Sequence, residues 1–345
     1  MKSLSGSRGR NIAGKHNSRY SVTLAVVLLV FSSVPTVATA EWLGATRAQM
    51  GTEVRVYLWH ENKEHASLAA EAVFTEIARI EALMSTYKED SEISAVNRDA
   101  AMSGVPVGDE LYELVVRSLD ISVLTRGAFD ITYDSVGQHY DFRAGEHPDE
   151  DTLRASLPKI DYRLVKPRAS DRSIRFLAAG VRINLGGIAK GYAVERGVAI
   201  LRQLGISNAI VTAGGDSRLL GDRRGQPWVV GIQNPRADDE VTLRIPLVDE
   251  AVSTSGDYER YFMEDGKRYH HIISPVTGEP ANGVQSATIV GPDAVMTDAL
   301  STSVFVMGVD SGLRLIATLP DYEGIVIDAD GRMFYSDGLR PPAAE

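Results

Sequence analysis

One stretch constrains the fold of this chain more than any other: Asn184 to Leu204, NLGGIAKGYAVERGVAILRQL. It reads as a strand end, a glycine turn and a helix. Gly186 and Gly187 carry no Cβ, so another backbone or a ligand can come close. Ile188, Tyr192, Val198, Leu201 and Leu204 recur at helical spacing, and Gly205 stands where a helix would stop. A helix N-terminus exposes unpaired N–H groups and the positive end of the dipole, a good seat for phosphate. Lys190 falls in that first turn, where a cation is mildly unfavourable unless an anion lies nearby. The same residues also suit an ordinary strand-to-helix turn with a surface lysine.

The N-terminus reads differently from the rest. Residues 1–20 hold Lys2, Arg8, Arg10, Lys15 and Arg19 and no acid; an apolar run from Val22 to Phe31 follows, then Ala38-Thr39-Ala40. A basic segment, a short apolar segment and an A-x-A site make a secretory signal peptide. The apolar run is short for a membrane span. No Arg-Arg pair is present in the basic segment, which favours Sec export over the twin-arginine route. Cleavage after Ala40 takes the chain from 345 residues to 305 and the formal charge from −10 to −15, because five basic and no acidic residues leave. The expected location is the periplasm. An acidic exported protein is a poor partner for nucleic acid or an anionic membrane. The chain has no cysteine, so disulfides, thiol nucleophiles, thiolate metal sites and a lipid-bearing cysteine are all excluded. A core of this length can stand alone.

Residues 41–345 read as one catalytic unit. Glu53 to Trp59 alternates as a strand, and Glu64 to Tyr87 carries Val73, Ile77, Ile80 and Met84 at helical spacing. Asp109 to Arg126 is a second helix, ended by Gly127. His147 to Asp151 is expected as a surface loop. Ile174 to Leu185 alternates, and Asn208–Thr212, Trp228–Gln233, Val241–Val248, Ala251–Ser255, Tyr269–Ser274 and Gln285–Gly291 read as strands. Ala294 to Met307 and Asp310 to Leu319 are helices, followed by a hairpin around Asp328-Ala329-Asp330-Gly331. Consecutive strands and blocked helices give an α+β fold with much antiparallel sheet.

Three constellations offer chemistry. Asp298 and Thr302 are four residues apart on one helix face. Two oxygen donors suit a hard cation such as Mg²⁺; the same spacing fits helix capping, with Thr297 as the N-cap. His270 and His271 are adjacent along a strand and point to opposite sides, so one of them could act as general acid or base. The alternative is one exposed histidine and one bonded in the core. Ser253-Thr254-Ser255 offers hydroxyls beside a glycine turn, to hold phosphate, to position a nearby histidine, or simply to end a strand. His60, His65, His139 and His147 show no metal-ligand spacing and are assigned to the surface. Nucleophilic-serine, P-loop and Rossmann signatures are missing.

Eight segments occur in a fixed order: Met50-Gly51-Thr52, STYKEDSEISAVN (85–97), GAFDIT (127–132), NLGGIAKGYA (184–193), AGGD (213–216), STSGDYER (253–260), RYHHIISPVTG (268–278) and TDALSTSVFVMG (297–308). The set resembles the ApbE family, the FAD:protein FMN transferases, over essentially the whole chain beyond the signal. The resemblance implies a T-fold-related α+β unit of twisted, largely antiparallel sheets flanked by helices, with FAD between two lobes. It implies transfer of FMN from FAD to a threonine or serine hydroxyl of an exported electron-transfer protein, with AMP released and Mg²⁺ required, Mn²⁺ being chemically similar. Alternatives from the same residues are an FAD pyrophosphatase and a non-catalytic FAD-binding protein. By resemblance, Met50, Tyr87, Gly127, Ala128, Phe129, Asn184, Lys190 and Ile272 contact FAD, with Tyr87 stacking on a ring. The Gly187 carbonyl, Asp298 and Thr302 hold the metal, and His271 is catalytic. Asn184 and Ser274 each stand where the family usually has Asp.

Overall fold

The alternation of Val54, Val56 and Leu58 with polar residues becomes one strand of a large antiparallel sheet, its apolar side turned to helices and Tyr57 turned to the opposite side. The computed structural model describes residues 41–339. The expected signal peptide, residues 1–40, and its cleavage point lie outside the described residues.

The chain opens with β1 (Glu41–Gln49) and β2 (Thr52–His60), joined through Met50 and Gly51. Both turn residues have positive φ, 52° and 70°, the backbone that two-residue hairpins prefer. Then come α1 (Lys63–Met84), α2 (Glu92–Asp99), β3 (Val105–Pro106), α3 (Asp109–Leu124), α4 (Asp134–Gly137) and α5 (Glu150–Ser156). β4 (Val165–Arg168) and β5 (Ser173–Phe176) join β3 in a small sheet, and α6 (Ala189–Gln203) follows. Next are β6 (Ala209–Ala213), β7 (Asp216–Leu220), the hairpin β8 (Trp228–Asn234) and β9 (Ala237–Leu247), and β10 (Ala251–Gly256). A second isolated hairpin pairs β11 (Tyr261–Glu264) with β12 (Lys267–His270). The chain ends through β13 (Val284–Gly291), α7 (Ala294–Ile316), β14 (Glu323–Asp328) and β15 (Met333–Tyr335).

The main sheet has eight strands in the order β1-β2-β6-β7-β10-β13-β14-β15, all antiparallel. Helices α1, α6 and α7 pack on one face. On the other face the β8–β9 hairpin places Trp228, Ile232, Ile245 and Leu247 against Leu219, Val252, Val290 and Ile325. Covered from both sides, β13 is buried along its whole length, its polar Gln285, Ser286 and Thr288 included.

The expected α+β class holds, and its differences have local causes. The helix expected to reach Tyr87 ends at Met84, where Ser85 turns to extended backbone. The helix expected to reach Arg126 ends at Leu124. The expected strand end before the glycine turn is extended backbone without a ladder: the Asn97 side chain accepts from the Ile183 N–H at 2.8 Å and donates to its C=O at 2.9 Å, taking the place of a neighbouring strand. Part of the expected loop at 147–151 begins α5, capped by Asp149. The two C-terminal helices meet end to end, broken at Gly308 with φ 79°. α7 is long and apolar enough to cross a membrane, but its buried residues pack on the sheet.

Gly191 fixes the spacing of α6 against α7. A Cβ at this position would lie 2.1 Å from the Ala294 carbonyl oxygen and 2.7 Å from the Asp298 Cβ. Gly205 is a different case: it has open space but φ of 76°. Gly191→Ala is therefore expected to destabilise the protein by about 2–3 kcal/mol through overpacking, and Gly205→Ala by about 1–2 kcal/mol through backbone strain alone. Urea denaturation of both variants checks the ranking; equal or reversed losses would contradict the close contact.

Candidate active site

The first turn of α6 faces the second turn of α7. Asp293 is the N-cap of α7, accepting from the Met296 N–H at 3.1 Å. Thr297 is therefore inside the helix, and the capping explanation for Asp298 fails. Asp298 is 1 % exposed. One carboxylate oxygen accepts from the Gly191 N–H at 2.8 Å; the other lies 3.5 Å from Lys190 Nζ. The anion at the N-terminus of α6 is thus the protein's own carboxylate, where the sequence suggested phosphate.

Lys190 also donates to Asp216 at 2.6 Å, and Asp216 is equally buried. Burial opposes charge on this lysine, but Asp216 and Asp298 outweigh it and hold its pKa above the ordinary value. Two carboxylates against one ammonium leave a surplus negative charge out of contact with water. Burial, then the neighbouring Asp216, pushes the Asp298 carboxyl pKa up. A cation beside Asp298 would relieve that strain.

Thr302 and Gly187 meet at the same place. A Cβ on Gly187 would sit 3.3 Å from Thr302 Oγ1 and 3.3 Å from the Phe129 ring. The hydroxyls of β10 define how Thr302 is oriented. Ser301 Oγ donates to the Asp298 carbonyl at 2.9 Å, and a carbonyl can only accept. Ser255 must therefore donate to Ser301, at 2.8 Å. Its proton is then committed, so Thr302 donates to Ser255, at 3.3 Å. The lone pairs of Thr302 are left for the cleft. The serines near the glycine turn thus serve the helix rather than ending a strand. Among the described residues no group of three or more His, Cys, Asp or Glu could hold a metal. A carboxylate, a hydroxyl and a backbone carbonyl are oxygen donors of the kind a hard cation takes.

Both adjacent histidines are enclosed, so the expected exposed member is not found. His270 hydrogen-bonds the Ala281 carbonyl at 2.8 Å and packs edge-on against Phe305. His271 donates its backbone N–H to the Arg260 carbonyl at 3.1 Å. Its ring Nδ1 is buried and has no partner. Burial, then the Arg260 charge, pushes its imidazole down to about 3, and the charge of Lys190 also reaches it. His271 is thus a neutral imidazole with an uncommitted ring nitrogen.

The expected flavin contacts divide into two groups. Tyr87 is 89 % exposed on the loop after α1, ready to stack. Met50 sits at the β1–β2 turn, where Gly51 meets Arg260, whose Nη2 donates to the Gly51 carbonyl at 3.2 Å. Gly127, with φ 84°, closes α3 by donating to the Ser122 carbonyl at 2.8 Å, and Ala128 is part-buried beside it. Phe129 is buried beneath Gly187, where it supports the turn. Ile272 packs its side chain in the core; its N–H goes to His270 and its carbonyl to Ala281.

Asn184 is fully engaged with protein. Its oxygen accepts from the Gly186 N–H at 2.8 Å, and its amide donates to Asp134 at 3.2 Å and Thr86 at 3.3 Å. Asp134 is buried against Arg182 at 3.0 Å. An aspartate at 184 would set two carboxylates face to face; the amide here donates instead. Asp216 and Arg260 carry no sequence signal as site residues, and Ser255 stands out only as a candidate phosphate-binding hydroxyl. Each lies inside a quoted motif, but only the fold shows that Asp216 and Ser255 meet Lys190 and Thr302.

Lys190→Met would leave Asp216 and Asp298 buried together without a counter-charge. It is expected to cost about 3–5 kcal/mol at neutral pH. Adding Asp216→Asn should recover most of that loss. Chemical denaturation of the single and double variants tests this; a double variant less stable than Lys190→Met would rule out the charge triad.

The description "ApbE family" matches residues 50–326. A relative from Treponema pallidum, named FAD:protein FMN transferase, is 34% identical over 305 residues, covering 83% of this chain and 84% of its own. One of the same name from Vibrio cholerae is 34% identical over 241 residues, covering 67% and 71%. Among solved structures, the ApbE protein of Thermotoga maritima superposes with a TM-score of 0.80 at 34% identity, over 86% of this chain and 98% of that one. The flavin transferase ApbE of Vibrio cholerae gives 0.77 at 27% identity, with the same coverage. The chain belongs to the ApbE family.

Proposed function

We propose that this enzyme moves FMN from FAD onto a serine or threonine hydroxyl of an exported partner protein, as a phosphoester, and releases AMP. The observation that carries the reading is His271: a neutral imidazole with an unpartnered buried nitrogen, within reach of the charge of Lys190 and hence of the Asp298 site. The names of the relatives from Treponema pallidum and Vibrio cholerae support the same activity.

In the proposed reaction the acceptor hydroxyl oxygen attacks the FMN phosphorus. A new P–O bond forms, the P–O bond to AMP breaks, and AMP leaves with the electron pair. His271 accepts the hydroxyl proton. An anionic diphosphate beside it offsets the Arg260 charge and raises the basicity of the imidazole. Tyr87 offers a ring face to the flavin, and the Gly186–Gly187 turn keeps side chains out of the space between α6 and α7. Asp298, the Thr302 hydroxyl and the Gly187 carbonyl would hold Mg²⁺, which supplies charge neutralisation and polarises the phosphoryl group; Mn²⁺ suits the same oxygen donors. The N-terminal signal supports a periplasmic location, which places acceptor and enzyme in one compartment.

The test is covalent labelling. The protein is mixed with FAD, Mg²⁺ and a candidate FMN-binding domain, denatured and run on a gel, and flavin fluorescence is read on the partner band. His271→Ala should lower the rate by about 10²–10⁴-fold. Asp298→Ala and chelator should each abolish labelling. Substantial labelling by Asp298→Ala in Mg²⁺ would refute the metal assignment. AMP release without a labelled band would point to hydrolysis of FAD, and intact FAD to a binding protein.

A further inference from the structure

Three cations lie close to the glycine turn or to His271, and two of them are already matched. Lys190 is held by Asp216 and Asp298, and Arg182 by Asp134. Arg260 differs. It is exposed, and among the described residues its guanidinium has no carboxylate partner; its one hydrogen bond is from Nη2 to the Gly51 carbonyl at 3.2 Å. Most of the donor fork is left free.

Its position is set from three sides. The backbone carbonyl of Arg260 receives the His271 N–H, which locks the residue to the base of the β11–β12 hairpin. Its charge reaches His271 on one side and the buried Tyr133 on the other. Tyr133 in turn lies against the glycine turn: a Cβ on Gly186 would stand 3.5 Å from its hydroxyl. The third side is the β1–β2 turn, where a Cβ on Gly51 would stand 3.2 Å from the Arg260 Nη2. Glycine there lets the guanidinium lie flat against the backbone beside Met50.

We propose that Arg260 is an anion-binding residue of this site, whose guanidinium holds the FAD diphosphate beside His271. The proposal rests on the flavin-transferase reading and adds a residue to it. A guanidinium fork matches phosphate oxygens in two parallel bonds, which an ammonium cannot reproduce. It supplements the α6 N-terminus, where the Gly191 N–H is already taken by Asp298. A purely structural alternative also exists, in which Arg260 only pins the turn at Gly51. The two roles separate by chemistry: a glutamine retains a donor for the Gly51 carbonyl and loses the charge.

The experiment measures binding rather than turnover. FAD and riboflavin are titrated by flavin fluorescence and equilibrium dialysis, in chelator, against the unmodified protein, Arg260→Gln and Arg260→Lys. Riboflavin has the same ring and no phosphate. Arg260→Gln is expected to weaken FAD by about ten-fold or more, the scale of one charge-assisted bond, and to leave riboflavin within about two-fold. Arg260→Lys should fall between Arg260→Gln and the unmodified protein for FAD. In the unmodified protein, added salt should weaken FAD but not riboflavin, and this measurement needs no variant to fold. Equal FAD affinity in Arg260→Gln, equal losses for both ligands, or salt-independent FAD binding overturns the proposal. If the unmodified protein binds riboflavin and FAD equally weakly, the flavin reading itself fails, and Arg260 with it.

Discussion

The approach of α6 to α7 at Gly191 is the constraint on which the rest of the site depends. Only a residue without Cβ lets the Ala294 carbonyl and the Asp298 stem come so near. That nearness lets the Gly191 N–H donate to the Asp298 carboxylate, which places a charge at the positive end of the α6 dipole. It also brings Lys190 between Asp298 and Asp216, and sets Gly187 against Thr302. A change of a few tenths of an ångström in helix spacing would alter all of these contacts together. The sheet holds the spacing: β10 and β13 carry α7, and β6 and β7 carry α6.

Charge is arranged around this contact in small, nearly balanced groups. Lys190 is matched by more than its own charge, and Arg182, Asp134 and Asn184 form a second unit on the other side of the glycine turn. Asn184 ties the units together, since its oxygen closes the turn at Gly186 while its amide satisfies Asp134. An amide at this position is therefore compatible with an intact turn. It removes a negative charge beside the cleft without removing the bond that shapes it.

Much of this architecture could be read from the chain, and the unread parts share a cause. The helices α1, α3, α6 and both halves of α7 announce themselves by apolar spacing because each buries one stripe in the core. β1 does not: it is an edge strand with no buried residue, so it has no alternation to detect. The extended segment before the glycine turn looks like a strand because its apolar residues are buried, yet its hydrogen bonds go to the Asn97 side chain. Asp298, Thr302, Lys190 and His271 stand out in the motifs, and the fold sets Lys190 against Asp298 and Gly187 against Thr302. Phe129 and Ile272 carry the same motif signal but are packed inward, since a motif records that a position matters and not which way it faces. Asp216 and Ser255 act through partners far along the chain, which no local pattern encodes.

The hydroxyl chain from Thr302 through Ser255 and Ser301 to the Asp298 carbonyl has a consequence for what the pocket admits. Every proton in that chain points away from the cleft. The Thr302 hydroxyl is therefore left with electron pairs to offer, and the ammonium beside Asp298, that of Lys190, is held by the two aspartates. Two serines behind Thr302 thus decide which partner its hydroxyl can take.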